Sequence, residues 1–167
     1  LGDVYKRQVA YCTQNAWLLG TTVRENILFG TEYNEERYRE VLYACALEPD
    51  LDILEHHDET EVGEKGTSLS GGQKARIALA RSFYSYARHI LIDDALSAVD
   101  AQTAEHLYHH CFHGPLAKDR TIVLVTHSVS LVLPTAVYAV VMDNGRISAE
   151  GKPMDLIPVS YTHLTLP

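Results

Sequence analysis

The sequence predicts an α/β domain of three layers built on a mainly parallel sheet, and three observations carry that prediction. Short apolar runs near residues 9–11, 89–92 and 121–126 alternate with helix-patterned segments, as strands joined by helical crossovers do. The run at 89–92 ends in two carboxylates, Asp93 and Asp94, which suits a buried parallel strand whose C-terminal end faces a ligand. A third observation is the run KARIALARSFY, preceded by Ser70, Gly71 and Gly72. Those residues leave backbone N–H groups and the positive end of a helix dipole facing forward. With 167 residues and 46% hydrophobic content, the chain holds one domain or part of one.

Taken in order, Val9 to Tyr11 reads as the end of a strand, followed by a loop carrying Gln14 and a short helix from Val23 to Phe29 stopped by Gly30. Asn34 can cap a helix in which Tyr38, Val41, Leu42 and Cys45 fall on one face, a core stripe. Pro49 to Leu54 reads as one helical turn, and the acidic run Glu55 to Thr67 as a loop. After the helix that Ser70 precedes come the strand His89–Ile92, a helix from Ala101 to Cys111 and a strand from Thr121 to Thr126. A short helix, Ser128–Leu133, then leads to a strand, Ala136–Met142, and Asp143-Asn144-Gly145 turns a hairpin into Arg146–Ala149.

Composition excludes several classes. Fourteen Lys and Arg against 22 Asp and Glu give a net charge of −8 with no basic face, so no nucleic-acid partner is expected. Cys12, Cys45 and Cys111 are too few and too far apart for a disulfide framework or zinc site and read as reduced, packed thiols. The longest apolar run, Leu131–Met142, contains Pro134 and falls short of the roughly 18 residues that a spanning helix needs. Any membrane role must come through a partner. His106, His109, His110 and His113 share a helical face beside Cys111, which reads as a solvated face and not as a metal site.

The chemistry centres on LSGGQ, Leu69 to Gln73. Ser70 is a natural N-cap whose oxygen can accept from the first turn or face a phosphate, and the glycines let a ligand approach the backbone. Alone, such a string is an ordinary capped helix. Followed by HILIDDALSAVD and then IVLVTH, it resembles the signature, Walker B, D-loop and H-loop series of an ATP-binding-cassette ATPase domain, a fold of the P-loop NTPase type. The stretch VAYCTQNAWLLGTTVRENILFG resembles the Q-loop region of exporters. ALEPDLDIL and EVGEKGTSLSGGQ are most similar to subfamily C, the multidrug-resistance-associated transporters, and the pair Asp93-Asp94 followed by LSAVD resembles their first nucleotide-binding domain.

The resemblance spans Val9 to Ile157, including the helical subdomain, and implies ATP with Mg2+. By it, Asp93 holds magnesium and Gln14 reaches the metal and the attacking water. His127 contacts the γ-phosphate, and Asp100 communicates between two sites. Ser70, Gly71, Gly72 and Gln73 close over nucleotide held by a second nucleotide-binding domain, and the Q-loop touches transmembrane domains, with the cassette on the cytoplasmic face. Asp94 departs from the pattern, since competent sites usually carry Glu there. Asp is one methylene shorter, and a misplacement of about 1 Å costs on the order of a hundredfold in rate. The expected result is a site that hydrolyses ATP poorly.

No G-x-x-x-x-G-K-[ST] occurs, so the phosphate-cradling loop is lacking, and the domain is expected to be truncated at its N-terminal side and weak in ATP binding. Residues 1–8 and 158–167 fit no family motif, resemble translated adapter read-through and are set aside, leaving 9–157 as a partial nucleotide-binding domain. Two other readings compete. A structural-maintenance or DNA-repair ATPase shares a similar signature but places a coiled coil ahead of it, and Gln14 to Leu69 shows no sustained heptads. The other is a non-catalytic, nucleotide-sensing regulatory module.

Overall fold

The structure, a computed structural model, describes residues 9–63 and 67–156. The expectations for residues 1–8 and 158–167, and for Ile157, lie outside the described residues. The chain divides after His127 into two units.

The first unit is built on a three-stranded parallel sheet in the order β1 (Val9–Cys12), β2 (His89–Asp93), β3 (Thr121–Val125). Val9 pairs with His89 and His89 with Thr121, so residues of one parity share a face across all three strands. One face, carrying Cys12, Ile90 and Ile92, is buried. It packs on α4 (Gly71–Tyr84), the helix that begins in the signature string and buries Ile77, Leu79, Phe83 and Tyr84. The other face carries Val9, Tyr11, Leu91, Val123 and Val125, each between 38% and 58% exposed.

The parallel α/β architecture is therefore as expected, but the strands are not buried on both faces. Apolar letters at every position fit a strand covered on two sides, and here one side is open among the described residues. An open apolar sheet face, flanked by two strand edges that no described residue pairs, favours self-association. We expect the chain on its own to bind 8-anilinonaphthalenesulfonate and to sediment as a mixture of sizes; a dye-silent monomer would remove this argument.

Around α4 lie α1 (Val23–Leu28), α2 (Glu35–Ala44) and the single turn α3 (Glu48–Asp52). Thr22 caps α1 in a reciprocal box with Glu25, and Asn34 caps α2 through the Arg37 amide at 2.9 Å. The reversal after α1 begins at Phe29, which takes a left-handed conformation one residue before Gly30. At the far end of α4, Arg37 donates to the carbonyls of Phe83, Tyr84 and Ser85, and Arg120 to those of Phe83 and Ser85. Two cations thus satisfy the terminal carbonyls at the negative end of the helix dipole. Burial, and then the neighbouring Arg37, push the Arg120 guanidinium down to about 10.

Past β2, α5 (Ala101–Leu107) runs into a π-helical turn, Tyr108–Phe112, where the sequence suggested unbroken α-helix. Cys111 of that turn is fully buried and donates to the Ala44 carbonyl at 3.1 Å, with the Cys45 sulfur 3.5 Å away. All three cysteines are free and buried, as inert packing thiols are. The histidine face is less solvated than expected. His106 bonds the Tyr43 carbonyl through Nε2 at 2.8 Å, and its ring lies 4.3 Å from that of His110.

The second unit holds the short helix α6 (Val129–Val132) and an antiparallel hairpin of β4 (Ala139–Asp143) and β5 (Arg146–Gly151). Asn144 and Gly145 both take positive φ, the geometry of a tight two-residue hairpin turn. A bulge at Val141/Met142 shifts the pairing. The strand expected from Ala136 starts at Ala139, because the proline-containing turn Leu133–Thr135 is followed by an irregular stretch at 136–138. No helix among the described residues is long and apolar enough to cross a membrane.

Candidate functional site

The site is built at the C-terminal end of β2. Asp93 is the last strand residue, and the Asp94 amide extends the ladder by donating to the Val125 carbonyl at 2.9 Å. Asp94 then turns left-handed, with φ of 48°, a conformation that Asp tolerates better than most residues. Its carbonyl accepts from the Ser97 amide and hydroxyl, at 3.2 and 2.8 Å, which starts the tight turn Ala95–Ala98. This fixes the backbone on both sides of the paired carboxylates.

The two side chains meet different surroundings. Asp93 is half-buried, and its Oδ2 accepts from the Tyr11 hydroxyl of β1 at 3.4 Å. Asp94 is buried; its Oδ2 accepts from the Gln14 side-chain amide at 3.4 Å, while its Oδ1 is enclosed and has no partner. A buried carboxylate oxygen without a hydrogen bond is costly, so the position suits a ligand, water or ion that completes it. Oxygen donors of this kind suit a hard divalent cation.

Gln14 sits in the loop between β1 and α1, whose far end is anchored by Asn26. The fully buried Asn26 amide donates to the carbonyls of Leu19 and Thr22 and to the Thr21 hydroxyl, and its oxygen accepts from the Leu19 amide at 2.8 Å. Arg81 of α4 bonds both the Asn26 side chain and its carbonyl at 2.9 Å. The Arg81 guanidinium also lies over Trp17 and Phe29, at 4.3 and 4.8 Å from the ring centres. The loop bearing Gln14 is thereby tied to the helix that bears Ser70.

Ser70 is the N-cap of α4. Its oxygen accepts from the Gln73 amide at 3.2 Å, and Gln73 Oε1 accepts from the Ser70 amide at 2.9 Å, a complete capping box. The oxygen therefore serves the helix, while Ser70 stays exposed. Gly72 presses against the turn after Asp94: a Cβ there would lie 2.9 Å from the Ala98 carbonyl oxygen. Gly72→Ala should push these two segments apart and destabilise the fold by about 1–3 kcal/mol, as overpacking does. Urea denaturation measures this; an unchanged midpoint would show that the turn yields freely.

Asp100 caps α5, accepting from the amide and hydroxyl of Thr103 at 2.9 and 2.7 Å, and these bonds hold its carboxyl below the usual range. His127 lies exposed just past β3, two residues beyond the carbonyl that pairs with Asp94. Of the residues singled out from the sequence, the structure joins Gln14 to Asp94 and Gly72 to the turn that precedes Asp100. It sets Ser70 and Gly71 at the exposed start of α4. Tyr11, Asn26, Asp50 and Arg81 were not singled out, and only their contacts reveal them.

A sequence model of the ABC transporter family matches residues 3–97, more than half of the chain. The chain belongs to the ABC transporter family. It is 53% identical over 148 residues to ABC transporter 7 of Pyricularia oryzae, covering 89% of this chain and 9% of that protein. It is 56% identical over 142 residues to the ABC transporter ATP-binding protein/permease VMR1 of Saccharomyces cerevisiae, covering 85% and 9%. To the ATP-dependent bile acid permease of that yeast it is 52% identical over 149 residues, covering 89% and 9%. The chain thus spans about a tenth of the length of these curated relatives. The ABC transporter match takes in Gln14, the LSGGQ string and both carboxylates.

Proposed function

We propose that this chain is the part of an ABC exporter's nucleotide-binding domain that runs from the Q-loop to the C-terminal strands, most similar to the first such domain of subfamily C. The observation that carries the reading is the Gln14 amide on the buried Asp94 carboxylate, with the second Asp94 oxygen enclosed and unpartnered. A loop glutamine and a strand-end acid held together, beside a helix whose exposed N-terminus suits an anion, form a phosphate-handling arrangement. The printed names of the relatives, an ATP-binding protein/permease and an ATP-dependent permease among them, support ATP as substrate and transport as outcome.

In this reading Asp93, with Gln14, would hold a magnesium ion, which when bound neutralises phosphate charge. Asp94 accepts a hydrogen bond from the attacking water, and Gln14, fixed on the same carboxylate, orients it. His127 presents an imidazole that can donate from one nitrogen and accept at the other, which suits contact with a γ-phosphate. Ser70 offers its hydroxyl, and Gly71, Gly72 and Gln73 the start of α4, to nucleotide held by a second nucleotide-binding domain. Asp100, rigid as a helix cap, sits at the junction between the two sites. The Q-loop region meets transmembrane domains, which place the cassette at the cytoplasmic face of a membrane.

The phosphate-cradling lysine loop is absent from these 167 residues, so in this reading the chain alone binds ATP weakly and does not turn it over. The test compares this chain with the full-length protein in membrane vesicles. Calorimetric titration of the chain with ATP should show no saturation at micromolar concentration, whereas the full-length protein should hydrolyse ATP and lose most of that activity on Ser70→Ala. Tight binding by the chain alone, or full activity in the Ser70 variant, would overturn the proposal.

A further inference from the structure

We infer that Asp50, in the single turn α3, is a positioning residue that clamps the signature turn Leu69–Gln73. The inference rests on the functional reading above only for its consequence in turnover. Gln73 is bound at both ends of its side-chain amide. Its oxygen accepts from the Ser70 amide at 2.9 Å, and its nitrogen donates to Asp50 Oδ1 at 3.0 Å. An amide held at one end can flip or swing away; one held at both ends has a single orientation. The capping box at Ser70 is therefore only as fixed as the Asp50 carboxylate.

Asp50 is itself held. Its other oxygen makes no hydrogen bond but lies 2.5 Å from the guanidinium of Arg76, one turn further along α4, an ion pair held by charge with both side chains largely withdrawn from solvent. Arg76 also donates to the Ala46 carbonyl, just ahead of α3, and to the Gly72 carbonyl at 3.4 Å. The result is a closed circuit of α3 carboxylate, Arg76, Gly72, Gln73 and Ser70. On the opposite side Gly72 abuts the Ala98 carbonyl. The turn is thus held by α3 and by the segment that follows Asp94, while Ser70 and Gly71 stay exposed. Fixing a binding group before its ligand arrives is the use of such a supporting contact.

The test separates the clamp from the ion pair. Asp50→Asn keeps an oxygen that accepts from Gln73 but removes the charge facing Arg76; Asp50→Ala removes both; Gln73→Met removes the clamp from its other end without touching Asp50. Amide hydrogen exchange in the full-length protein reads the turn. In Asp50→Ala and in Gln73→Met the amide at position 73 should exchange about tenfold faster, while those of Leu79 and Phe83 inside α4 stay within about twofold and Asp50→Asn resembles the wild type. An unchanged amide at position 73, or equal acceleration throughout α4, would overturn the inference.

In the full-length protein the Ala variant should lose about tenfold in kcat for ATP, with Asn rescuing most of it. Equal losses in Asn and Ala would assign the effect to the ion pair and refute the clamp. A wild-type protein that does not hydrolyse ATP sinks the functional reading, while the exchange measurement still decides the role of Asp50.

Discussion

In a full-length protein whose partner site is silenced by Ser70→Ala, Asp94→Glu should raise ATP turnover by about ten- to a hundredfold, since that is the range a displacement of about 1 Å at a reacting group commands. Asp94 is rooted in backbone that cannot advance: its amide is bonded to Val125, and its carbonyl to Ser97. The only way to carry the carboxylate further toward a nucleotide is a longer side chain. The substitution also has a cost, because Glu is less at home than Asp at a φ of 48°, by about 1 kcal/mol or somewhat more. Phosphate release at saturating ATP, normalised to folded protein, measures the gain. Equal rates for Asp and Glu would mean that reach does not limit the site, and no phosphate release from either would fit a nucleotide-sensing module without hydrolysis.

Asn26→Ala should have the largest effect on stability, roughly 3–5 kcal/mol, because it strands the Leu19 amide and part of the Arg81 guanidinium inside the protein and leaves a cavity. A domain is typically stable by only about 5–15 kcal/mol, so the loss should be visible as a collapse of soluble yield and a much lower denaturation midpoint. Asn26→Asp is the sharper probe. It keeps the acceptor for Leu19 and Arg81 but discards the donors to Leu19, Thr21 and Thr22. Urea melts of both variants, read beside the wild type, apportion the network; if both match the wild type, the buried amide contributes little.

The parts of the fold that could be read from the sequence are those whose cause is local. The caps at Asn34 and Ser70, the hairpin turn at Asn144-Gly145 and the strand ending in Asp93 follow from residues within four positions of one another. The open sheet face could not be read, because Tyr11, Leu91 and Val123 are the same letters whether or not a layer covers them. The π-helical turn at Tyr108 continues a helical pattern without interruption. Asn26 looks like a surface polar residue in a short amphipathic helix, and only the loop folded over it reveals its burial. Asp50 and Gln73 are 23 positions apart and share no periodicity. The paired carboxylates, Gln14 and His127 were legible as a series of motifs; the hydrogen bond that joins Gln14 to Asp94 was not, since it closes across 80 residues.

The packing of Arg81 between Trp17 and Phe29 has an optical consequence. The chain has one tryptophan, and its half-exposed indole is covered on one face by a cation rooted in α4. Its emission colour and its quenching by iodide therefore report one thing, whether the Gln14 loop rests on α4. The protein carries a native fluorophore at the joint between its two chemistry-bearing segments, and movement of that joint can be followed in real time without a label.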